Sequence, residues 1–301
     1  MKNNLILITW LFLSAIKLTN AQAPVAIQKI FPEATVFHQN IPYAGDTLKK
    51  HQLDIYLPAQ AKGTLPLIIW VHGGAWMMND KYADMGYMKN TLRSFLEKGF
   101  AVASIDYRHS TTAIFPAQIQ DCNLAIEFLH KNANTYQLDK NKFVLMGFSA
   151  GGHLASLLAL SGNQDIPAFY LKAKPTFRIR AVLDFYGPSD FLLFFANGNP
   201  TTTGDPISTL LGVSPLLRPD VSKQASPTTY VDKNDPPFFI VHGEKDESVA
   251  PAQSYLLRSL LDLALVKNEL TIVKEAPHYG EMFDTEEIRS KLFIFLETHL
   301  K

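Results

Sequence analysis

Apolar positions along the chain fall into two rhythms that alternate from end to end. Residues 35–39 and 52–57 alternate polar with apolar side chains on either side of a turn signal at 43–46, the pattern of an antiparallel hairpin. Residues 65–71 then form a near-continuous apolar run, as expected of a strand covered on both faces of a parallel sheet. Helix-like segments at 85–97, 116–131, 153–160, 252–263 and 285–300 are interleaved with strand-like runs at 100–106, 142–146, 181–186, 237–241 and 270–273. This βαβα rhythm predicts an α/β fold: a mostly parallel, eight-stranded sheet with helices on both faces. Pro116 and Pro251 stand where helices begin, which suits a residue with fixed φ and no amide hydrogen. Residues 191–223 break the rhythm. They are rich in Gly, Pro, Thr and large apolar residues such as Phe191, Phe194 and Phe195, without periodicity, and read as a small cap inserted over the strand ends.

The first residues change the domain picture. Met1-Lys2, an apolar run from Leu5 to Leu18 and a small-residue stretch ending at Ala21 have the layout of a secretory signal peptide over 1–21. The run is shorter than the ~20 residues a spanning helix needs, so export with cleavage after Ala21, rather than stable membrane insertion, is expected. The remaining 22–301 then reads as one domain. Composition adds little: of 301 residues 47% are hydrophobic, and Lys+Arg 28 balance Asp+Glu 28, which leaves no global field to attract nucleic acid or an anionic membrane. The single cysteine, Cys122, shares the apolar helical spacing of Ile119, Ile126 and Leu129 and reads as a core thiol rather than a nucleophile.

Candidate chemistry gathers at the ends of the strand-like runs, where α/β sheets carry their sites. After 142–146 comes Gly147-Phe148-Ser149-Ala150-Gly151, the spacing G-x-S-x-G of a sharp strand-to-helix turn that lifts one hydroxyl clear of the backbone. A serine there could also merely cap the helix, so its partners decide. A nucleophilic serine needs a base, an acid to fix the base's tautomer, and donors for the developing oxyanion. In this turn-bearing fold the chain order is serine, acid, histidine. Asp246, on the loop after 237–241, is the candidate acid, with Glu244, Glu247 and Asp190 as alternatives. Behind it stand only His278, in a loop before the last helix, and His299, near the end of that helix; His278 is the candidate base. His242 reads as structural, and His130 and His153 as surface or packing residues of helices. Gly73 and Gly74, after the 65–71 strand, and Ala150, after the serine, are the candidate oxyanion donors.

Together, HGGAW at 72–76, GFSAGGH at 147–153, SPTTYV at 226–231, PPFFIVHGEKD at 236–246 and His278 resemble the α/β-hydrolase esterases, within them the group containing bacterial acetylxylan and feruloyl esterases. The likeness runs from about residue 35 on. It implies an α/β-hydrolase fold, Ser149 as nucleophile, Asp246 as acid, His278 as base, Gly73, Gly74 and Ala150 as amide donors, and no cofactor or metal. Tyr279 departs from the pattern, since a glycine often follows the histidine. The implied substrate is a small ester or an acylated carbohydrate such as acetylated or feruloylated xylan. A generic short-chain esterase, an aryl formamidase and an inactive binding module of the same fold are the alternatives; oligomeric state is not legible.

Overall fold

The computed structural model describes residues 23–61, 63–196 and 205–301. The expected leader, 1–21, lies outside them, as does 197–204 of the expected insertion. Eight strands form one sheet: β1 (Val36–Pro42), β2 (Gln52–Leu57), β3 (Leu65–Val71), β4 (Ala101–Ile105), β5 (Leu138–Phe148), β6 (Ile179–Phe185), β7 (Phe238–Gly243) and β8 (Asn268–Val273). Their order is β1-β2-β4-β3-β5-β6-β7-β8. Only β2 runs against its neighbours; the pairs from β4 to β8 are parallel. The helices are α1 (Val25–Gln28), α2 (Lys89–Glu97), α3 (Ala117–Lys131), α4 (Ala150–Ser161), α5 (Phe191–Ala196), α6 (Pro206–Leu211), α7 (Pro219–Ala225), α8 (Ala252–Leu263) and α9 (Glu286–His299).

Strand pleating divides the apolar runs between two cores. Along β3, Leu67, Ile69 and Val71 face a core shared with α3, α4 and α8, whereas Ile68 and Trp70 face one shared with α2 and α9. Both faces of the sheet are thus covered, which is why 65–71 is apolar without alternation. The strand order also reverses about β3: the chain moves outward to β4, then returns to the other side of β3 as β5 and continues through β6, β7 and β8. Loops leaving the carboxyl ends of β3 and β5 therefore diverge from adjacent strands and open a crevice at the switch point.

Two expected elements differ. The helix expected over 85–97 begins only at Lys89. Met85, Met88, Leu92 and Phe95 are all buried at helical spacing, but Met85 and Met88 belong to turns in which Asp84 adopts a left-handed φ of 69°. Their burial, not their conformation, produced the periodicity. In the 191–223 segment the described residues contain α5, α6 and part of α7, each of seven residues or fewer and so too short to display a 3.6-residue period.

Because Ile69 is wholly buried in a central strand, Ile69→Ala should lower the unfolding free energy by about 2–5 kcal/mol. A shifted urea midpoint at unchanged slope would register it.

Candidate active site

Ser149 sits at the tip of the turn between β5 and α4 with φ 52° and ψ −118°, a backbone state that costs an L-residue on the order of 1–3 kcal/mol. The glycines around it make that turn possible. A Cβ on Gly147 would stand 2.1 Å from the Gly151 carbonyl oxygen, and one on Gly151 would stand 2.1 Å from that of Val71. The turn thus lies directly against the end of β3. The Ser149 amide donates to the Phe185 carbonyl of β6 at 2.9 Å, which fixes the turn from its other side.

The loops after β7 and β8 bring the partners. His278 Nε2 lies 2.8 Å from Ser149 Oγ, and its Nδ1 lies 2.7 Å from Asp246 Oδ2. Since a carboxylate only accepts, Nδ1 carries the proton and Nε2 is left to accept from the serine hydroxyl. Asp246 is held in turn by the amides of Ser248 and Val249 at 2.9 and 2.8 Å, and by His242, whose Nε2 stands 3.2 Å from Oδ2 while donating to the Val249 carbonyl at 2.8 Å. Burial alone would raise the Asp246 carboxyl, but the hydrogen bonds from His242 and His278, the His278 charge and the Val249 amide outweigh it and hold the group well below the usual carboxylate range. The alternatives fall elsewhere. Asp190 accepts from the Leu193 amide and Thr228 Oγ1, and Glu244 and Glu247 are exposed. The acid turn and the histidine loop are tied by the Lys245 amide to Ala276 O at 2.9 Å, and Gly243 lacks the Cβ that would meet Pro277 O at 2.3 Å.

The loop after β3 departs from expectation at one position. The Gly73 amide donates to Asp84 Oδ2 at 2.8 Å, so it is already engaged. The amides of Gly74, Ala75 and Ala150 have no acceptor among the described residues, and Gly74 and Ala75 line the pocket containing Ser149. Ala75 carries no sequence signal for this role, because its contribution comes from its left-handed φ of 52°. Trp76 (φ 59°) follows, and Gly74 itself has φ 116°. This strained loop is held by Met77 and Met78 amides on Gly74 O, by Tyr107 Oη on His72 O at 2.8 Å, and by Trp76 Nε1, which donates to His153 Nδ1 at 3.1 Å.

His153 is therefore a packing residue with a defined task. It is wholly buried, its Nε2 donates to the Ala225 carbonyl at 2.7 Å at the end of α7, and its Nδ1 accepts from Trp76. Burial pulls its pKa down to about 4, so the ring is neutral at pH 7.

The pocket over Ser149 measures about 820 Å³. Trp76, Met78, Tyr87, Tyr186, Phe194, Ile207 and Val249 give it an apolar wall, with Asn79, Asp84 and Asp205 as polar points. Phe194, Asp205, Pro206 and Ile207 come from the 191–223 segment. Among the described residues no cluster of three or more His, Cys, Asp or Glu side chains is placed to hold a metal ion, and no helix is long and apolar enough to cross a membrane.

The BD-FAE family profile matches residues 53–261, a span that includes β2 through most of α8 and carries both the β3 loop and the serine turn. The chain belongs to the BD-FAE family. Among solved structures, a truncated carbohydrate esterase from gut microbiota superposes with a TM-score of 0.81 at 31% identity, covering 89% of this chain and 98% of that one. A bifunctional GH43-CE protein of Bacteroides eggerthii gives 0.80 at 33% identity over 88% of this chain and 35% of that one. Esterase LipQ of Mycobacterium tuberculosis is 34% identical over 217 residues, 71% of this chain and 50% of LipQ. The probable carboxylic ester hydrolase LipM of the same organism is 30% identical over 259 residues, 80% of this chain and 55% of LipM. The chain thus spans about half the length of these two curated relatives.

The depressed His153 pKa has a pH signature. Unfolding frees the ring to bind a proton at its ordinary pKa of ~6.5, so stability falls as pH drops from about 6.5 to about 4, by roughly 3 kcal/mol from this residue. Unfolding free energies measured across that window should slope more steeply for the wild type than for His153→Gln.

Proposed function

We propose that this chain is a serine carboxylesterase whose substrates are acetyl or feruloyl esters of carbohydrate. The observation that carries the reading is the hydrogen-bonded series Ser149, His278 and Asp246, set beside three partnerless amides. In the proposed reaction Ser149 Oγ attacks the ester carbonyl carbon while His278 Nε2 takes the hydroxyl proton. The carbonyl oxygen gains the negative charge and accepts hydrogen bonds from the Gly74, Ala75 and Ala150 amides, close to the N-terminus of α4, whose dipole favours an anion. Collapse breaks the bond to the alcohol oxygen, which receives the proton from His278 and leaves the acyl group on Ser149. A water then adds to the acyl carbon, giving up a proton to His278, and the free acid departs as Ser149 regains its proton. Asp246 keeps its charge throughout and stabilises the His278 cation.

The chemistry also assigns sides of the pocket. The leaving oxygen must come within hydrogen-bond reach of His278 Nε2, so the alcohol lies on the His278 side. There Tyr279 lines the pocket and is 64% exposed, an aromatic face that offers itself to the apolar face of a sugar ring at the pocket mouth. The carbohydrate-esterase neighbours support the same substrate class. The N-terminal leader motivates a further reading, that the enzyme is exported to where acylated polysaccharide is met. LipM and LipQ favour a second reading, a small-ester esterase without carbohydrate preference.

Ser149→Ala should abolish hydrolysis of p-nitrophenyl acetate and labelling by a fluorophosphonate; turnover comparable to wild type would sink the assignment. Release of acetate from acetylated xylan but little acid from tributyrin supports the carbohydrate reading, and the reverse preference supports the small-ester one.

A further inference from the structure

The Asp84 carboxylate is half-buried in the wall of the pocket over Ser149 and takes no part in the acyl-transfer steps. Its two oxygens hold two different things. Oδ2 accepts the Gly73 amide at 2.8 Å, and Oδ1 accepts the Tyr87 hydroxyl, which meets the Tyr186 hydroxyl at 3.0 Å. The Tyr186 ring packs edge-on against His278 with centroids 4.9 Å apart. Asp84 thus joins the loop after β3 to the side of the pocket where His278 stands.

Two backbone observations show that this placement is imposed rather than incidental. Asp84 itself has a left-handed φ of 69°, in a stretch whose side-chain spacing would otherwise suit a helix, and Tyr186 has a φ of 47°. Strained non-glycine residues persist only where their surroundings over-determine them. The loop they support is strained as well, with positive φ at Gly74, Ala75 and Trp76. The Gly73 amide shares a planar peptide with the His72 carbonyl, which Tyr107 Oη holds at 2.8 Å, so Asp84 and Tyr107 fix that peptide from opposite edges. Losing the Asp84 acceptor leaves it held at one edge only, loosening the two amides that follow. Fixed donors aimed at the developing charge are what make an oxyanion site effective, since nothing then needs to reorganise as charge forms.

We propose that Asp84 is a positioning residue for the oxyanion site: by taking the Gly73 amide, with Tyr87 bracing its other oxygen, it fixes the orientation in which the Gly74 and Ala75 amides remain open to the substrate. This rests on the esterase reading above. It assigns Gly73 to the support of the donors, not to their number.

The test uses the full chain and three variants, Asp84→Ala, Asp84→Asn and Tyr87→Phe, with folding checked by circular dichroism. Two readouts are compared: p-nitrophenyl acetate kinetics, and inhibition by a phenyl trifluoromethyl ketone, whose adduct with Ser149 places an oxyanion at the same point. Asp84→Ala should lower kcat on the order of 10²-fold with KM moved by less than about threefold, and weaken the ketone by a similar factor. Asp84→Asn, which keeps an acceptor for Gly73, should recover most of both losses, and Tyr87→Phe should fall between. A purely structural role would not tie ketone affinity to kcat in this way. The proposal is overturned if Asp84→Ala, or Tyr87→Phe should the alanine variant fail to fold, keeps both values within about twofold of wild type, or if asparagine is no better than alanine. A wild type that neither turns over nor reacts with a fluorophosphonate at Ser149 would remove the esterase reading and this inference with it; an active wild type with indifferent variants removes this inference alone.

Discussion

Much of the site depends on how closely α4 approaches the end of β3. The Val71 and His72 carbonyl oxygens occupy the space where any side chain on residue 151 would begin, at 2.1 and 2.5 Å from the Cβ position. Only glycine permits that approach, and the approach places the amino end of α4, the Ser149 turn and the loop after β3 within one crevice. Sheet order supplies the crevice by sending the chain to opposite sides at β3 and β5. Gly152 and Gly187 repeat the device one layer away, where a Cβ on either would fall within 2.6 Å of Asp184 Oδ1. Close backbone packing at the switch point, more than any single side chain, sets the frame in which the hydroxyl, the imidazole and the amides meet.

Legibility followed locality. The serine turn is a short pattern with a steric cause, and the order of serine, acid and histidine left two candidate histidines, so the pair that the fold brings to 2.8 Å, Ser149 and His278, could be picked out without it. Asp246 was harder because Glu244 and Glu247 share its turn and Asp190 lies at another strand end; only the fold shows that Asp190 is occupied with Leu193 and Thr228. Beside Ala150, which follows the serine, the donors of the loop after β3 were read as a pair of glycines because an absent side chain is visible in a sequence. Whether an amide is free depends on what it already bonds, so the Gly73 contact with Asp84 and the availability of Ala75 left no local trace. His153 was read as a surface or packing residue; its burial and its two partners, 77 and 72 residues away in sequence, are tertiary facts.

The elements show the same division. The strands were legible for two reasons: alternation of polar and apolar residues marked β1 and β2, and burial on two faces left the central strands as uninterrupted apolar runs. The start of α2 was not, since Met85 and Met88 meet the core at helical spacing while the backbone turns around them. The short helices of the inserted segment were not, because six or seven residues complete less than two turns and α6 owes its start to the Asp205 side chain accepting the Ile207 and Ser208 amides.

The two ends of that segment are tied to one another. The Phe191 amide donates to Ser226 Oγ at 3.0 Å, Ser189 and Asp190 amides are held by Gln253 Oε1 at 2.8 and 2.7 Å, and the Ala225 carbonyl is held by His153. With its feet joined, the loop between them is closed whatever its length, and closing a longer loop costs only about 0.6 kcal/mol for each doubling. Chain can therefore be inserted, deleted or exchanged between these anchors while the catalytic groups keep their places. Phe194 and Ile207, which shape the pocket, lie on the interchangeable part, so this architecture lets the pocket wall vary while Ser149, His278 and Asp246 stay fixed.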